Sequence, residues 1–326
     1  MGLAVSYDDI VAAAKRIEGV AVKTPLIESP ALNALVGGRV LLKAENLQRV
    51  GAFKFRGAFN RLSQLSDDEK AKGVVAWSSG NHAQGVAAAG QILDIKTTII
   101  MPEDTPKMKL DNTRGYGASV TLYNRYTESR EDIGRDLAAA TGATIVPPYD
   151  DPHIVAGQGT VGLEIMAQAK EIGAEIDAVF VPCGGGGLTA GTSIAVCSQK
   201  PDTEIYTVEP EDFDDVARSF VSGKVENADM TNSSICDALL TPYACDLTFS
   251  FMQKYVTKGL TIRDDEAREA VQFSWEKLKL VVELGGAAAL AAVMNGKIDC
   301  KGKTVAVILS GGNVDAEMFS ACIGGK

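Results

Sequence analysis

The feature that most constrains the fold of this chain is an alternation of short apolar segments, rich in β-forming residues, with amphipathic or alanine-rich segments. The first kind predicts strands and the second predicts helices. Because several strands are apolar at nearly every position, both of their faces are expected to be buried. The pattern therefore predicts an α/β fold with open, twisted, mainly parallel sheets and helices on both faces. The predicted strands are RVLLKAE, GVVAWSS, TTIIMP, SVTLYN, ATIVPPY, AVFVPCG, EIYTVEP and TVAVILSGG.

Three unusual polar or glycine-rich segments follow predicted strands directly. They are SSGNHAQG at residues 78–85, GGGG at 184–187 and SGGNVD at 310–315. In parallel sheets, ligands bind beyond the carboxyl ends of the strands, where such connections meet. The three segments are therefore expected to form one composite site.

Composition and charge disfavour several classes of function. The 326 residues include 32 basic and 42 acidic ones, for a net charge of −10, with no basic stripe of the kind that binds nucleic acid. No segment approaches the roughly 20 apolar residues of a membrane span, and the N-terminus lacks the layout of a signal peptide. Six scattered cysteines and only two histidines disfavour a zinc site and indicate reduced thiols in a cytoplasmic enzyme.

The four glycines from Gly184 to Gly187 lie between a predicted strand and a predicted helix. Without Cβ atoms, the backbone can aim successive N–H groups at an anion, and the helix N-terminus adds partial positive charge. These properties predict a phosphate site. The alternative is a flexible turn, although four glycines carry an entropy cost that a plain turn avoids. The segment matches neither the Walker A pattern nor GxGxxG, which disfavours a nucleotide.

Lys54 lies between two phenylalanines in the segment GAFKFRGA. The glycine, alanine and phenylalanine residues around it indicate a partly buried amine, and burial lowers the pKa of a lysine towards neutrality. A neutral amine can form a Schiff base with a carbonyl compound. The alternative is a solvated lysine without a chemical role.

Two further polar segments allow both a functional and a structural interpretation. Ser78, Ser79, Asn81 and His82 could hold a carboxylate or a ring oxygen, or could cap the first turn of a helix. The acidic segment VEPEDFDD, at 208–215, could bind Mg²⁺ or Ca²⁺, or could be a solvated turn that caps the next helix. The residues alone leave both choices open.

Together these segments resemble the fold type II pyridoxal-phosphate enzymes of the serine/threonine dehydratase and serine racemase family. The resemblance runs from TPLIESPALNAL to SGGNVD in the family's order, and includes AFKFRGA, SSGNHAQ, AGQGT and GGGGL. Ala52 stands where the family usually has serine. No single motif is specific, but the set is.

The resemblance implies how pyridoxal 5'-phosphate would be bound. Lys54 would hold the cofactor covalently and, once displaced by the substrate amine, would act as the base for the Cα proton. Asn81 would bind the ring hydroxyl, and a neutral Ser310 hydroxyl would face the ring nitrogen. Such a ring is a weaker electron sink, which suits elimination and racemisation better than transamination. The cofactor-binding set implied in this way is Phe53, Lys54, Asn81, Gly184, Gly185, Gly186, Gly187, Leu188, Glu283 and Ser310.

The resemblance also implies how the substrate would be bound. The turn containing Ser78, Ser79, Asn81 and His82 would hold the substrate carboxylate, and in a racemase Ser79 would be the second catalytic base. Arg130 lies in NRYTESREDIG, a segment similar to one in 3-hydroxyaspartate dehydratases and some racemases. Arg130 would recognise a substrate side chain or carboxylate, unless it is a solvated residue in the first turn of a helix.

A divalent-cation site is implied by spacing in the acidic segment. The family uses a glutamate, a carbonyl four residues later and an aspartate six residues later, and Glu209, Phe213 and Asp215 have this spacing. Mg²⁺, Ca²⁺ or Mn²⁺ there would brace the protein rather than take part in the chemistry. Two other segments depart from the family, since CDA at 236–238 replaces the common ADG and Glu283–Leu284 replaces Glu-Pro.

The favoured function is an ammonia-lyase, or dehydratase, that converts a small β-hydroxy amino acid to a 2-oxo acid and ammonia. L-Serine or L-threonine is the leading substrate and 3-hydroxyaspartate the second. The alternatives are a serine or aspartate racemase with dehydratase side activity, a non-catalytic metabolite-binding protein, and a nucleotide-dependent dehydrogenase. We expect a large domain of residues 1–72 and 150–326, a small inserted domain of residues 73–149, a homodimer, and no nucleic-acid or membrane partner.

Overall fold

The computed structural model describes residues 4–105 and 107–324. In these residues, ten strands form two sheets. Numbered along the chain, the strands are β1 (Leu26–Glu28), β2 (Arg39–Ala44), β3 (Val74–Trp77), β4 (Thr97–Pro102), β5 (Ser119–Tyr123), β6 (Thr144–Ile145), β7 (Ala178–Pro182), β8 (Glu204–Pro210), β9 (Lys258–Ile262) and β10 (Thr304–Leu309).

The larger sheet has the strand order β1-β2-β10-β7-β8-β9, and the smaller sheet has the order β5-β4-β3-β6. Only β1 is antiparallel to its neighbour; every other pairing in the two sheets is parallel. The predicted α/β fold with mainly parallel sheets is therefore confirmed. All strands of the smaller sheet lie between residues 73 and 149, although the domain boundaries at these residues stay a prediction.

Helices connect most of the strands. They are α1 (Tyr7–Ile17), α2 (Pro30–Val36), α3 (Lys54–Leu62), α4 (Asp67–Lys72), α5 (Asn81–Leu93), α6 (Lys107–Gly115), α7 (Arg130–Thr141), α8 (Pro152–Glu171), α9 (Gly187–Cys197), α10 (Asp215–Ser222), α11 (Asp246–Tyr255), α12 (Asp264–Phe273), α13 (Leu284–Met294) and α14 (Ala316–Ile323). Short 3₁₀ turns cover Glu45–Leu47, Arg49–Gly51, Glu211–Phe213 and Asp237–Leu239, and a π-helical segment covers Ser274–Leu278.

Helices cover both faces of the larger sheet, as the apolar strands predict. Val305 and Val307 of β10 point into a core that contains the apolar residues of α13. Their neighbours Ala306 and Ile308 point to the opposite face, where residues of α8 and α9 pack. Because successive side chains of a strand alternate between faces, a strand buried on both sides must be apolar throughout.

The helix that begins at Lys54 packs against elements of both sheets. Phe55, Phe59 and Leu62 of α3 share a core with Val74 and Ala76 of the smaller sheet. On another side, α3 crosses α8 so closely that a Cβ on Gly157 would lie 2.6 Å from the Cα of Gly57. Glycine at this crossing therefore fixes α3 against α8, and with it the position from which Lys54 extends.

Behind α3 lies a buried network of two cations and two carboxylates. Arg56 donates to Glu45 at 2.7 Å and to Glu164 at 2.7 Å, and Lys43 donates to Glu164 at 2.6 Å. The side chains of Lys43, Arg56 and Glu45 have no exposed surface. With two charges of each sign, the network is neutral as a whole, which lowers the cost of burying it.

All six cysteines of the chain are free thiols, and all are buried. In the described residues, no helix has both the length and the apolar character that crossing a bilayer requires.

Candidate active site

One cavity opens beyond the carboxyl ends of β3, β7 and β10, where the three unusual segments were expected to meet. It brings together all the residues predicted to bind cofactor or substrate. These lining residues are Phe53, Lys54, Ser78, Ser79, Asn81, His82, Arg130, Gly184, Gly185, Gly186, Gly187, Leu188, Glu283 and Ser310. The predicted cation ligands Glu209, Phe213 and Asp215 are not among the residues that line this cavity.

Lys54 is half-buried at the first residue of α3. Its Nζ donates to the carbonyl of Pro148 at 2.8 Å, the only hydrogen bond it makes within the described residues, and lies 5.2 Å from the ring centre of Phe53. Burial lowers the pKa of this amine to about 8, because charge is costly away from water. About a tenth of Lys54 is therefore neutral, and hence nucleophilic, at pH 7, and the fraction rises steeply towards pH 8.

The glycine segment bends sharply between β7 and α9. Gly186 has φ of +85°, a left-handed conformation that favours glycine. A Cβ on Gly185 would lie 2.2 Å from the ring of Tyr149, so only glycine lets this aromatic ring pack on the loop. The first N–H groups of a helix have no partner within the helix, so the N-terminus of α9 presents donors to the cavity.

Asn81 connects the smaller sheet to loops of the larger sheet. Its Nδ2 donates to Glu283 Oε1 at 2.6 Å, and its Oδ1 accepts from Asn313 Nδ2 at 2.7 Å. Burial raises the pKa of the Glu283 carboxyl to about 7; the charge of Asp237 adds to the rise and the bond from Asn81 opposes it. The cavity thus contains a carboxyl group that titrates near neutrality.

The turn between β3 and α5 places two hydroxyls and a buried imidazole at the cavity. The N–H of Gly80 donates to Ser78 Oγ at 3.2 Å, and Ser79 lines the cavity beside it. His82 lies 2.9 Å from the carbonyl of Val146 through Nε2, and burial lowers its pKa to about 3. The ring is therefore neutral, so it cannot attract a carboxylate by charge. Its predicted part in substrate binding stays a prediction.

A half-buried lysine, a glycine loop leading into a helix and a polar turn thus surround one cavity. The family model described as pyridoxal-phosphate dependent enzyme matches residues 17–311 of this chain. The chain is a pyridoxal-phosphate-dependent enzyme. The resemblance predicted from the motifs is confirmed, and the family disfavours both a non-catalytic binding protein and a nucleotide-dependent dehydrogenase.

Individual relatives of this pyridoxal-phosphate-dependent enzyme cover almost its whole length. It is 44% identical to an L-threo-3-hydroxyaspartate ammonia-lyase of Saccharomyces cerevisiae, over 98% of this chain and 97% of the relative. It is 42% identical to a serine racemase of Schizosaccharomyces pombe, over 97% and 96%. Among solved structures, the threonine deaminase of T.th. superposes with a TM-score of 0.89 at 41% identity, over 95% of this chain and 99% of that one.

The residues of the cavity fit the cofactor of this family. Pyridoxal phosphate has an aldehyde that reacts with an amine and a phosphate that needs several N–H donors. The lowered pKa of Lys54 suits the first group. The glycine loop at the N-terminus of α9 suits the second.

Arg130 begins α7 and lines the same cavity from the smaller sheet's side. Its Nε donates to Glu131 Oε1 at 2.8 Å. The terminal nitrogens have no hydrogen bond among the described residues, so they are available to an anion in the cavity. Since guanidinium binds carboxylate in a two-pronged manner, the enzyme has a second candidate carboxylate site besides the serine-rich turn.

An ion pair and an aromatic ring also line this cavity, and neither was predicted from the sequence. Lys109 of α6 donates a hydrogen bond to Asp237, which begins the 3₁₀ turn Asp237–Leu239, and both residues line the cavity. Tyr149 packs on the glycine loop, and its hydroxyl donates to the carbonyl of Tyr243 at 3.2 Å. Tyr149 is the last residue of the predicted strand ATIVPPY, and an aromatic residue at the carboxyl end of a strand was a signal for the ring. Nothing local marks Lys109.

The acidic segment forms a compact turn at the end of β8. Glu209 accepts from the N–H groups of Val216 and Ala217, at 2.9 and 2.8 Å, and so caps α10. Asp215 is buried, and its Oδ2 has no hydrogen-bond partner in the described residues. Burial raises the pKa of Glu209 well above its usual range, with the charge of Asp215 adding to the rise, and raises that of Asp215 to about 6. Within the described residues, no three histidine, cysteine, aspartate or glutamate side chains cluster in a way that suits a metal.

Proposed function

We propose that this enzyme is an ammonia-lyase whose preferred substrate is 3-hydroxyaspartate, which it converts to a 2-oxo acid and ammonia. The water lost from Cα and Cβ is taken up again when the nitrogen is released by hydrolysis, so the net products are the oxo acid and ammonia. L-Serine and L-threonine are expected to react more slowly. The observation that carries the choice of substrate is the Arg130 guanidinium at the cavity that contains Lys54.

Pyridoxal phosphate, when bound, supplies an electron sink that makes the Cα proton of an amino acid acidic. Lys54 would hold it in the resting enzyme and take the Cα proton once the amine is free. The lowered pKa supports this role, because a proton acceptor works best with a pKa near the working pH. The carbonyl of Pro148 keeps the amine at the cavity.

The glycine loop and Ser310 would orient the cofactor. The N-terminus of α9 supports phosphate binding through backbone N–H groups, with Leu188 in its first turn. Ser310 is 4% exposed and lines the cavity, so its neutral hydroxyl would meet the ring nitrogen without adding charge. Phe53, Asn81 and Glu283 complete the proposed set.

Two sites would then hold the two carboxylates of the substrate. The hydroxyls of Ser78 and Ser79, with the first turn of α5, suit the α-carboxylate. The terminal nitrogens of Arg130 suit the β-carboxylate, which serine and threonine lack. The 44% identity to a relative named for L-threo-3-hydroxyaspartate supports the same substrate.

The test is Arg130→Gln, measured with L-threo-3-hydroxyaspartate and with L-serine. Loss of a guanidinium–carboxylate contact is expected to lower kcat/KM for hydroxyaspartate by about 100-fold, with L-serine changed less than about threefold. The matched control is Arg135→Gln, since Arg135 lies on the same helix but is exposed and paired with Asp132. Equal losses of kcat/KM for the two substrates would show that Arg130 does not bind the second carboxylate.

Racemisation is the second candidate, because Ser79 lines the cavity that contains Lys54. A racemase needs a second base on the opposite face of Cα, and a serine hydroxyl is the only such group that the family resemblance implies. Chiral chromatography of the same reactions decides between the two functions. Inverted amino acid as the main product would identify a racemase, and oxo acid without inverted substrate would identify an ammonia-lyase.

We also propose that Glu209, the carbonyl of Phe213 and Asp215 bind Mg²⁺, or Ca²⁺ or Mn²⁺ in its place. Two buried carboxylates, one with an unpartnered oxygen, support a hard cation. Mg²⁺ is expected to raise the unfolding temperature of the wild type but not that of Asp215→Asn, with the exposed Asp212→Asn as control. An equal rise in both variants would leave the turn as a helix cap only.

We also propose that the enzyme is a homodimer and that it is located in the cytoplasm. Six free, buried thiols suit a reducing compartment. Light scattering of the purified holoenzyme measures the number of subunits, and a monomer would contradict the prediction.

A further inference from the structure

A chain of hydrogen bonds crosses the cavity wall from the backbone at Val50 to the carboxyl of Glu283. Asn313 Nδ2 donates to the carbonyl of Val50 at 2.7 Å and also to Asn81 Oδ1 at 2.7 Å. Asn81 Nδ2 then donates to Glu283 Oε1 at 2.6 Å. Asn313 has no part in the function proposed above, and yet it is bonded to a residue that lines the cavity.

The turn that contains Val50 is held beside the loop that contains Asn313. The N–H of Phe53 donates to the carbonyl of Ser310 at 3.1 Å, and the N–H of Gly312 donates to that of Gly51 at 2.9 Å. Val50 itself has φ of +57°, an unusual conformation for a β-branched residue. In this conformation its carbonyl is bonded by the Asn313 amide. The residues directly before Lys54 are therefore joined to Asn313 by backbone and side-chain bonds.

The direction of every bond in the chain follows from its first member. A backbone carbonyl can only accept, so Asn313 must turn its NH₂ group, and not its oxygen, towards Val50. The second hydrogen of that NH₂ group is then donated to Asn81, which must present its oxygen. Asn81 is left with its NH₂ group directed to Glu283, and one hydrogen remains for an acceptor in the cavity.

We propose that Asn313 is a positioning residue that fixes the amide of Asn81 as a hydrogen-bond donor to the cofactor. The inference rests on the proposed place of the cofactor ring beside Asn81, whose free N–H would meet an oxygen on the ring. If Asn81 were turned over, its carbonyl would face both Glu283 and that oxygen. Two acceptors would then oppose each other, and the ring oxygen would lose its donor.

The experiment is a double-mutant cycle on Asn81→Ala and Asn313→Ala, with pyridoxal phosphate itself as the probe. The apoprotein of each variant is titrated with the cofactor, and the dissociation constant and the visible absorption spectrum are recorded. Each single variant is expected to weaken binding roughly tenfold, as for one lost hydrogen bond, and to shift the band in the same direction. The double variant is expected to match the single ones, because Asn313 acts only through Asn81.

Asn295→Ala is the matched control. The Asn295 amide donates to the carbonyl of Ala291 at 3.0 Å at the end of α13 and does not line the cavity, so cofactor binding should be unchanged. Circular dichroism checks that each variant is folded. If Asn313→Ala does not fold, Asn313→Ser, which shortens the side chain and removes the amide, takes its place in the cycle.

The possible outcomes separate this inference from the proposed function. Two outcomes would overturn the positioning role alone. In one, the losses of cofactor affinity in the two single variants add up in the double variant. In the other, Asn81→Ala changes the affinity and the spectrum, but Asn313→Ala changes neither. If wild-type protein attaches the cofactor but Asn81→Ala changes neither the affinity nor the spectrum, the proposed contact of Asn81 with the ring is wrong, and the inference falls with it.

Discussion

Lys43 is buried and Lys54 is half-buried, but the two lysines differ in their hydrogen-bond partners. Lys43 has no exposed side-chain surface and donates to the carbonyl of Thr24, to Glu164 and to Gln168. Lys54 donates to the carbonyl of Pro148. Burial lowers the pKa of both amines; the charges of Glu164 and Glu45 oppose this for Lys43, whereas no carboxylate does so for Lys54.

We propose that this difference separates a structural lysine from a reactive one. A carboxylate partner stabilises the ammonium form and holds it in place, so Lys43 serves the network behind α3. A carbonyl partner orients the amine without adding a negative charge to stabilise its proton. Lys54 therefore remains able to lose that proton. Substituting each lysine in turn compares the two side chains directly.

The largest expected effect comes from Lys54→Ala. Without the amine, covalent attachment of pyridoxal phosphate is lost, and turnover should fall by a factor on the order of 10³ or more. The absorption spectrum of the purified holoenzyme and a steady-state assay measure both effects. Lys43→Met should keep the absorption band; if it were Lys43→Met that lost the band, the assignment of the two lysines would be reversed.

Lys43→Met should instead reduce stability. Removing one member of a buried ion-pair network leaves Glu164 with less compensation, and the free energy of unfolding is expected to fall by about 3 kcal/mol. Denaturant titration of the apoprotein measures it. An unchanged midpoint would mean that Arg56 alone satisfies Glu164.

The last expected effect is a pH dependence of stability to which Lys54 contributes. Because its pKa is lowered from 10.5 to about 8, the folded protein loses this proton at lower pH than the unfolded chain does. Between about pH 8 and 10.5 the unfolded state binds more protons at this site, so the contribution to stability rises with pH.

The same titration should control how fast the apoprotein attaches pyridoxal phosphate, since only the neutral amine reacts. The rate of appearance of the visible band is expected to rise with pH around a midpoint near 8. Lys54→Met should lack the band and should show a smaller rise in stability with pH, because the contribution of this amine is missing. A flat rate profile in wild type would mean that the amine is already neutral, or is not the reacting group.

Sequence patterns predicted the features that are marked locally. Apolar strands identified the parallel sheets, and GGGG and SSGN stood out because each follows a strand. The pair of Lys109 and Asp237 could not be found in this way, since its members lie 128 residues apart. Asp237 lies in the CDA segment, which stood out, but nothing in the sequence connected it to Lys109. Asn313 was part of a recognised motif, but its bonds to Val50 and Asn81 depend on how three distant loops meet.

His82 illustrates a different limit. Its place after a strand predicts a contact with substrate, and this stays a prediction. What the sequence could not show is that the ring is buried with its Nε2 2.9 Å from the carbonyl of Val146. Local sequence shows that a polar residue starts a helix, but not which side chain remains accessible once the neighbouring strand packs on it. The strand order of each sheet was likewise out of reach, because it depends on which distant strands pair.

The six buried thiols can report how often different parts of the molecule open to solvent. An accessible thiolate attacks alkylating reagents, whereas burial shields these sulfurs and, for Cys183, raises the pKa of the thiol well above its usual range. Labelling must therefore wait for the protein to open locally, so its rate reports the frequency of opening. Cys183 immediately precedes the glycine loop, and Cys322 lies in α14. Comparing the two labelling rates, with and without cofactor, would show whether cofactor binding lowers the frequency of local opening only beside the cavity or also at α14.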